Sequence, residues 1–179
     1  MKAYLVEIRP LTESDKPWVQ QVMIEEWGSE IVVVHGDIFH PGELPGYLGL
    51  FEGKPAGLLT YHIKGKEFEV VTLNSFKPSH GIGNALLESA RDRAHEAGCQ
   101  RMFLVTTNNN QHALDFYQNR GFSICAVRKD AIAESRKIKP EIPQTDAQGH
   151  PIRDEIELEI LLGKNAPAGR GGNVNPENP

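Results

Sequence analysis

The sequence predicts an α+β fold of three layers, in which helices flank a mixed, mostly antiparallel sheet of six to seven strands. Three strands follow one another through short turns, at residues 47–51, 55–63 and 67–76, and this order is typical of an antiparallel meander. A helix over 81–97 then leads to a buried apolar strand at 101–107. Because a strand, a helix and a strand in succession form a right-handed crossover, the last two strands are predicted to be a central parallel pair.

Composition limits the class of protein. The chain has 179 residues, of which 39% are hydrophobic, and we expect a single domain over 1–163. Residues 164–179 are rich in Gly, Pro and Asn, and we expect them to be a disordered tail. A net charge of −5 without blocks of like charge argues against nucleic acid and anionic membranes as partners. Cys99 and Cys125 occur without a signal peptide, so we expect reduced thiols in a cytoplasmic protein.

The remaining elements follow from local patterns. An edge strand is predicted from Ala3 to Arg9, and a helix begins after the capping-box pair Thr12 and Asp15 and ends at Gly28. A short strand at 31–34 precedes an irregular loop over 35–46, which contains several Gly and Pro residues. The later elements are a helix at 111–120, a strand at 122–127, a helical piece at 131–138 and a last strand at 152–162.

The turn before the long helix is a candidate phosphate site. Gly81 and Gly83 stand at the start of this helix, where unpaired backbone N–H groups and the helix dipole attract anions. A purely structural role fits the two glycines equally well, since glycine also makes tight turns and allows a close approach of the helix to the sheet. No Lys-Ser or Lys-Thr follows them, which excludes a P-loop, and Leu86 stands where a dinucleotide-binding motif has its third glycine.

A second segment decides between these alternatives. Residues 110–122 match the pattern Asn-x-x-Ala-x-x-Phe-Tyr-x-x-x-Gly-Phe at every fixed position. With the strand that bears Glu69 and the glycine turn, this segment resembles the GNAT superfamily of acetyl-CoA-dependent N-acetyltransferases. The resemblance covers about residues 5–162 in the order of strands and helices. It implies acetyl-CoA as cofactor, and a sheet whose central parallel strands splay apart.

The resemblance also implies catalytic roles for two residues. Tyr117 stands at the position of the tyrosine that protonates the coenzyme A thiolate in the family, whereas a core aromatic residue is the alternative. Glu69 stands where many relatives have a general base. Its strand places it on one face with Val71 and Leu73, where poor hydration would raise the pKa of its carboxyl group. The alternative for Glu69 is a solvated strand glutamate.

The resemblance further implies a set of cofactor-binding residues, of which Asn110 is also expected to cap its helix. The set comprises Leu73, Asn74, Ser75, His80, Gly81, Ile82, Gly83, Asn84, Thr106, Asn110, Ala113, Phe116 and Tyr117. One position departs from the family. Pro78 occupies the place of a Gln or Arg three residues before Gly81, so a side-chain contact to the pyrophosphate is lost. More of the binding must then come from the N–H groups of Ile82, Gly83 and Asn84, with His80 or Lys77 as charged helpers.

The acceptor is expected to be a cationic amine, because acidic residues cluster near the predicted acceptor end. The predicted acceptor-binding residues are Asp37, Glu43, Arg153 and Asp154. A metal site at His35, Asp37 and His40 is disfavoured because the spacing fits no established ligand pattern. We therefore expect transfer of an acetyl group to a primary amine by direct attack in a ternary complex. A non-catalytic acyl-CoA sensor or scaffold module is the alternative, and an edge strand of such a fold favours a homodimer.

Overall fold

Residues 5–163 are described by a computed structural model of the protein. The predicted tail at 164–179 and the first residues of the predicted edge strand, Ala3 and Tyr4, lie outside the described residues. The elements are β1 (Val6–Pro10), α1 (Lys16–Trp27), β2 (Val32–Val34), β3 (Asp37–Phe39), β4 (Gly46–Phe51), β5 (Lys54–Lys64), β6 (Glu67–Ser75), α2 (Ile82–Glu96), β7 (Arg101–Thr107), α3 (Gln111–Gln118), β8 (Ser123–Arg128), α4 (Ala131–Ile138) and β9 (Glu155–Leu161).

Seven strands form one mixed sheet in the order β1-β4-β5-β6-β7-β9-β8. Neighbouring strands are antiparallel except β6 and β7, which are the predicted parallel pair. The helix α2 connects this pair, as a crossover between parallel strands requires. The predicted fold class is therefore confirmed.

Apolar side chains on both faces of the sheet make the three layers. On one face, Phe68 of β6 belongs to a cluster of buried residues with Leu86 of α2 and Leu114 of α3. On the other face, Met23 of α1 and Val71 of β6 belong to a second cluster, which also includes residues of β2. The sheet thus separates two apolar cores.

Within residues 5–163, no helix has both the length and the apolar character that a membrane span requires.

The segment between α1 and β4 departs from the prediction of an irregular loop over 35–46. Its first part forms a hairpin, in which β2 pairs with β3 from Val32 opposite Phe39 to Val34 opposite Asp37. His35 and Gly36 make the turn with φ angles of +51° and +81°. Two consecutive positive φ angles are typical of the type I′ turn that joins antiparallel strands, which is why so short a hairpin forms here. The loop prediction is wrong for this part.

Candidate active site

The parallel strands β6 and β7 separate shortly after they begin. They are paired only over three positions, from Glu67 opposite Arg101 to Glu69 opposite Phe103. Beyond this point lies a cleft of about 300 Å³, which we call the splay cleft. It is lined by Glu26, Trp27, Val70, Val71, Thr72, Leu73, Asn74, Leu104, Val105, Thr106, Asn110, Ala113 and Tyr117. Because the facing edges of the two strands are not paired with each other there, their backbone groups are available to a ligand in the cleft.

A β-bulge in β6 lies just beyond the point where β6 and β7 separate. Thr60 of β5 is opposite Thr72 and the next residue, Tyr61, is opposite Val70, so that Val71 is left without a register partner on β5. A bulge shifts the alternation of side chains. Leu73 consequently packs with the cluster that contains Val70, on the face opposite to Glu69. The prediction that Leu73 shares the face of Glu69 is therefore wrong.

Tyr117 borders the splay cleft from α3. Its ring is buried and meets Phe116 and Phe122 edge to face, with ring centroids 5.1 Å and 5.3 Å away. Burial raises the pKa of the Tyr117 phenol well above its usual range, against a smaller opposing effect of the Arg120 charge. Tyr117 thus keeps its proton at neutral pH and can donate it to a strong base.

A second hollow of about 260 Å³ continues from the splay cleft toward the first turn of α2. Its lining consists of Leu73, Asn74, Ser75, Gly83, Asn110, His112, Ala113, Phe116 and Tyr117. Gly81 precedes α2 with a φ angle of +74°, in the left-handed region that glycine adopts without strain. At Gly83, a Cβ atom would lie 3.4 Å from the Phe116 ring, an ordinary van der Waals contact, so the first turn of α2 lies directly beside this ring.

Asn110 fixes the start of α3 as predicted. Its Oδ1 accepts a hydrogen bond of 3.2 Å from the backbone N–H of Ala113, which makes Asn110 the N-cap of the helix. Its Nδ2 donates to Thr106 Oγ1 at 3.1 Å and so joins the helix to β7. The cap role is confirmed, and the contact of Asn110 with a cofactor stays a prediction.

A larger cavity of about 600 Å³ opens on the α1 side of the sheet, and we call it the hairpin cavity. It is lined by Val34, His35, Asp37, Ile38, Phe39, His62, Lys64, Glu67, Glu69 and Phe103. Burial, followed by the charges of Asp37 and Glu157, raises the pKa of Glu69 to about 7, although the Arg101 charge acts in the opposite direction. The hairpin β2–β3 thus places Asp37, a predicted acceptor-binding residue, in the same cavity as Glu69, the predicted general base.

Charged residues of β9 hold the hairpin in place. His35 Nδ1 lies 2.6 Å from Glu155 Oε2, and its Nε2 lies 3.1 Å from Glu157 Oε1. Arg101 binds the same Glu157 and also Glu159. Burial favours the neutral acid, but hydrogen bonds from Arg101 and other partners outweigh it and lower the pKa of Glu157 to about 2. Residue spacing does not predict this network, whose only signal in the sequence is the alternation of glutamates along β9.

Three predicted acceptor residues lie elsewhere. Glu43 borders a separate hollow of about 490 Å³ and lies 3.5 Å from Lys16 in an exposed ion pair. Asp154 accepts hydrogen bonds from its neighbour Arg153 and from the backbone N–H of Asp130, which precedes α4. Neither Arg153 nor Asp154 belongs to the lining of the hairpin cavity. In the described part of the chain, no group of three or more His, Cys, Asp or Glu residues is placed to hold a metal ion.

Comparison with known proteins defines the class. Residues 6–122 match the model of the acetyltransferase (GNAT) family. The chain belongs to this family, as its motifs predict. Among curated proteins it is similar to the uncharacterized protein YdhI of Bacillus subtilis (strain 168), with 39% identity over 150 residues, which are 83% of this chain and 94% of that protein.

Solved structures show the same fold. An IAA acetyltransferase from Bacillus cereus ATCC 14579 matches with a TM-score of 0.68 and 20% identity, over 88% of this chain and 100% of that one. A GNAT family acetyltransferase from Elizabethkingia anophelis, with acetyl-CoA bound, matches with a TM-score of 0.64 and 19% identity, over 88% and 98% of the two chains. At these identities the likeness concerns the fold alone.

Proposed function

We propose that this protein is an acetyl-CoA-dependent N-acetyltransferase that transfers the acetyl group to a primary amine by direct attack in a ternary complex. The observation on which the proposal depends is that consecutive residues of β6 line the two cavities. Glu69 lines the hairpin cavity, and Val70 lines the splay cleft. A donor in the splay cleft and an acceptor in the hairpin cavity would therefore approach each other where β6 and β7 separate.

The splay cleft suits the thioester end of acetyl-CoA, which supplies an acetyl group activated for transfer. The separated edges of β6 and β7 offer backbone groups of Leu73, Asn74, Ser75 and Thr106 to the amides of a pantetheine arm. The related fold from Elizabethkingia anophelis has acetyl-CoA bound. The hollow beside Gly83 leads from this cleft to the first turn of α2. Unpaired N–H groups there, at Ile82, Gly83 and Asn84, suit the diphosphate.

Glu69 is suited to be the general base. An acceptor amine is mostly protonated at neutral pH and must lose a proton before its nitrogen can attack. A carboxyl group with a pKa of about 7 is partly ionised under these conditions and accepts a proton more readily than an ordinary glutamate does. Glu69 would take this proton directly or through a water molecule.

Tyr117 is suited to be the general acid. When the new C–N bond forms and the C–S bond breaks, the departing thiolate needs a proton. Tyr117 lines the splay cleft, and its phenol carries a proton at neutral pH. The tyrosine is expected to regain its proton from solvent or from the acceptor side before the next turnover.

The hairpin cavity supports a small cationic amine as the acceptor. Its lining includes the carboxyl groups of Asp37, Glu67 and Glu69, together with apolar walls at Phe39 and Phe103. Negative charge around a partly closed cavity attracts an ammonium group, and apolar walls accept a carbon skeleton. Its volume of about 600 Å³ leaves room for a small molecule.

The test is release of free thiol from acetyl-CoA in the presence of polyamines, amino acids, aminoglycosides and lysine peptides. We expect at least one class to support turnover, and we expect Tyr117→Phe to lower kcat about 100-fold or more while the affinity for CoA stays within about threefold. Phe122→Leu, which alters the packing of the same ring without removing the phenol, is the matched control. Tight CoA binding without turnover on the whole panel would instead support the non-catalytic acyl-CoA-binding module.

A further inference from the structure

The turn before α2 has no cationic side chain at the position where the family has Gln or Arg. Pro78 stands there and offers only its carbonyl group, which lies 2.8 Å from Nδ1 of His80. The protein also has a net charge of −5. An anionic cofactor therefore has to find positive charge close to its binding site, since the molecule as a whole repels it.

Lys77 and His80, the two basic residues nearest to Pro78 in the sequence, both contact the ring of Phe51. Lys77 Nζ lies 5.9 Å from the centroid of the Phe51 ring, and His80 packs edge to face on the same ring at 4.7 Å. Phe51 is on β4 and is not among the residues that line the hollow beside Gly83. These contacts give no support to the expectation that Lys77 or His80 replaces the missing side chain.

Arg120, two residues beyond the end of α3, reaches the first turn of α2 instead. Its guanidinium carbon lies 3.6 Å from the centroid of the Phe116 ring, and Nη1 donates to the Phe116 carbonyl at 2.8 Å. Nε donates to Asn84 Oδ1 at 3.0 Å. Phe116 also borders Gly83. The guanidinium group is therefore held against the residues whose N–H groups begin α2.

The fixed guanidinium still has donors for a ligand. Within residues 5–163, Nη2 of Arg120 has no hydrogen-bond partner, and the residue is only half-buried. Arginine binds phosphate oxygens through several N–H groups, and a side chain held in place by stacking loses little further entropy when it binds. We propose that Arg120 binds the diphosphate of coenzyme A and so replaces the side-chain contact that Pro78 cannot make. This inference rests on the proposed function.

The test compares CoA, dephospho-CoA and pantetheine as ligands of the wild type and of Arg120→Gln. We expect Arg120→Gln to weaken CoA and dephospho-CoA about tenfold or more by titration calorimetry, because a charge-assisted contact to the diphosphate is lost. Pantetheine, which has no phosphate, should bind both proteins equally in an NMR titration. Arg93→Gln, near the other end of α2, is the matched control for the loss of one positive charge, and its affinity for CoA should stay within about twofold.

Each other outcome has a distinct meaning. A loss for CoA that disappears with dephospho-CoA would assign Arg120 to the 3′-phosphate and overturn the diphosphate contact. Equal weakening of pantetheine would mean that Arg120 only supports the fold around Asn84 and Phe116. A wild type that binds neither CoA nor dephospho-CoA would contradict the proposed function itself.

Discussion

The ionisation of a single residue, Glu69, should set the lower pH limit of activity. Because the base must be unprotonated, kcat/KM for the acceptor should fall about tenfold per pH unit below a midpoint near 7, the pKa of Glu69 in the free protein. Glu69→Gln should lower kcat about 100-fold or more at pH 8 and abolish this midpoint. The measurement is a pH profile of thiol release with the amine identified in the screen.

The variant Asp37→Asn tests whether the charge of Asp37 raises the pKa of Glu69, while Glu69 itself remains present as the base. Among the charges that raise the pKa of Glu69, that of Asp37 has the largest effect. Its neutralisation should therefore move the midpoint of the kcat/KM profile to lower pH without removing it. A midpoint that stays unchanged in Asp37→Asn, or survives in Glu69→Gln, would show that another group controls the profile.

At the scale of residues, the location of a side chain was predicted better from a local sequence motif than from its approximate position along the chain. Asn110 and Tyr117 belong to one short helix, so their spacing alone fixes their relation to β7 and to the splay cleft. Chain position alone predicts Glu43 and Asp154 at the acceptor end, but their contacts with Lys16 and with the backbone of Asp130 place them elsewhere. Such contacts join residues that are distant in sequence or depend on loop geometry, which residue spacing does not encode.

At the scale of elements, the position of α2 depends on two glycines. Gly49 of β4 and Gly57 of β5 are opposite each other, and a Cβ atom at either would lie 2.8 Å or 2.6 Å from the Ile82 side chain. Gly57→Ala should therefore push α2 away from the sheet and lower the free energy of unfolding by about 1–3 kcal/mol. Because Ile82 begins α2, the affinity for CoA should fall as well.

Chemical denaturation and titration with CoA measure the two effects. Gly163→Ala adds the same methyl group in open space and should leave both quantities unchanged. An unchanged stability of Gly57→Ala would mean that α2 adapts without cost. A normal affinity for CoA despite a lower stability would show that the first turn of α2 does not depend on this contact.

The order of the main elements was predictable because each has its own hydrophobic pattern and turn residues. The strand β2 was predicted at 31–34, but β3, its pairing with β2 and the bulge at Val71 were not. The strand β3 has three residues, too few for a periodic pattern, and a bulge depends on how β5 and β6 align. Both features shape the hairpin cavity and the splay cleft. The parts of the site that were not predicted are thus those that depend on how strands pair with each other.

For the whole molecule, the environment that makes Glu69 a base should reduce stability. Between pH 4.5 and about 7 the folded protein retains a proton on Glu69 that the unfolded chain releases, so the free energy of unfolding falls as pH rises through this window. Glu69→Gln removes this dependence and should be more stable than the wild type by about 3 kcal/mol at pH 8, with little gain at pH 4.5. Denaturant titrations at both pH values measure the difference, and Glu25→Gln on the exposed side of α1 controls for the loss of one negative charge. If Glu69→Gln changed stability equally at the two pH values, the carboxyl group would titrate normally, and the general base would have to be sought elsewhere in the hairpin cavity.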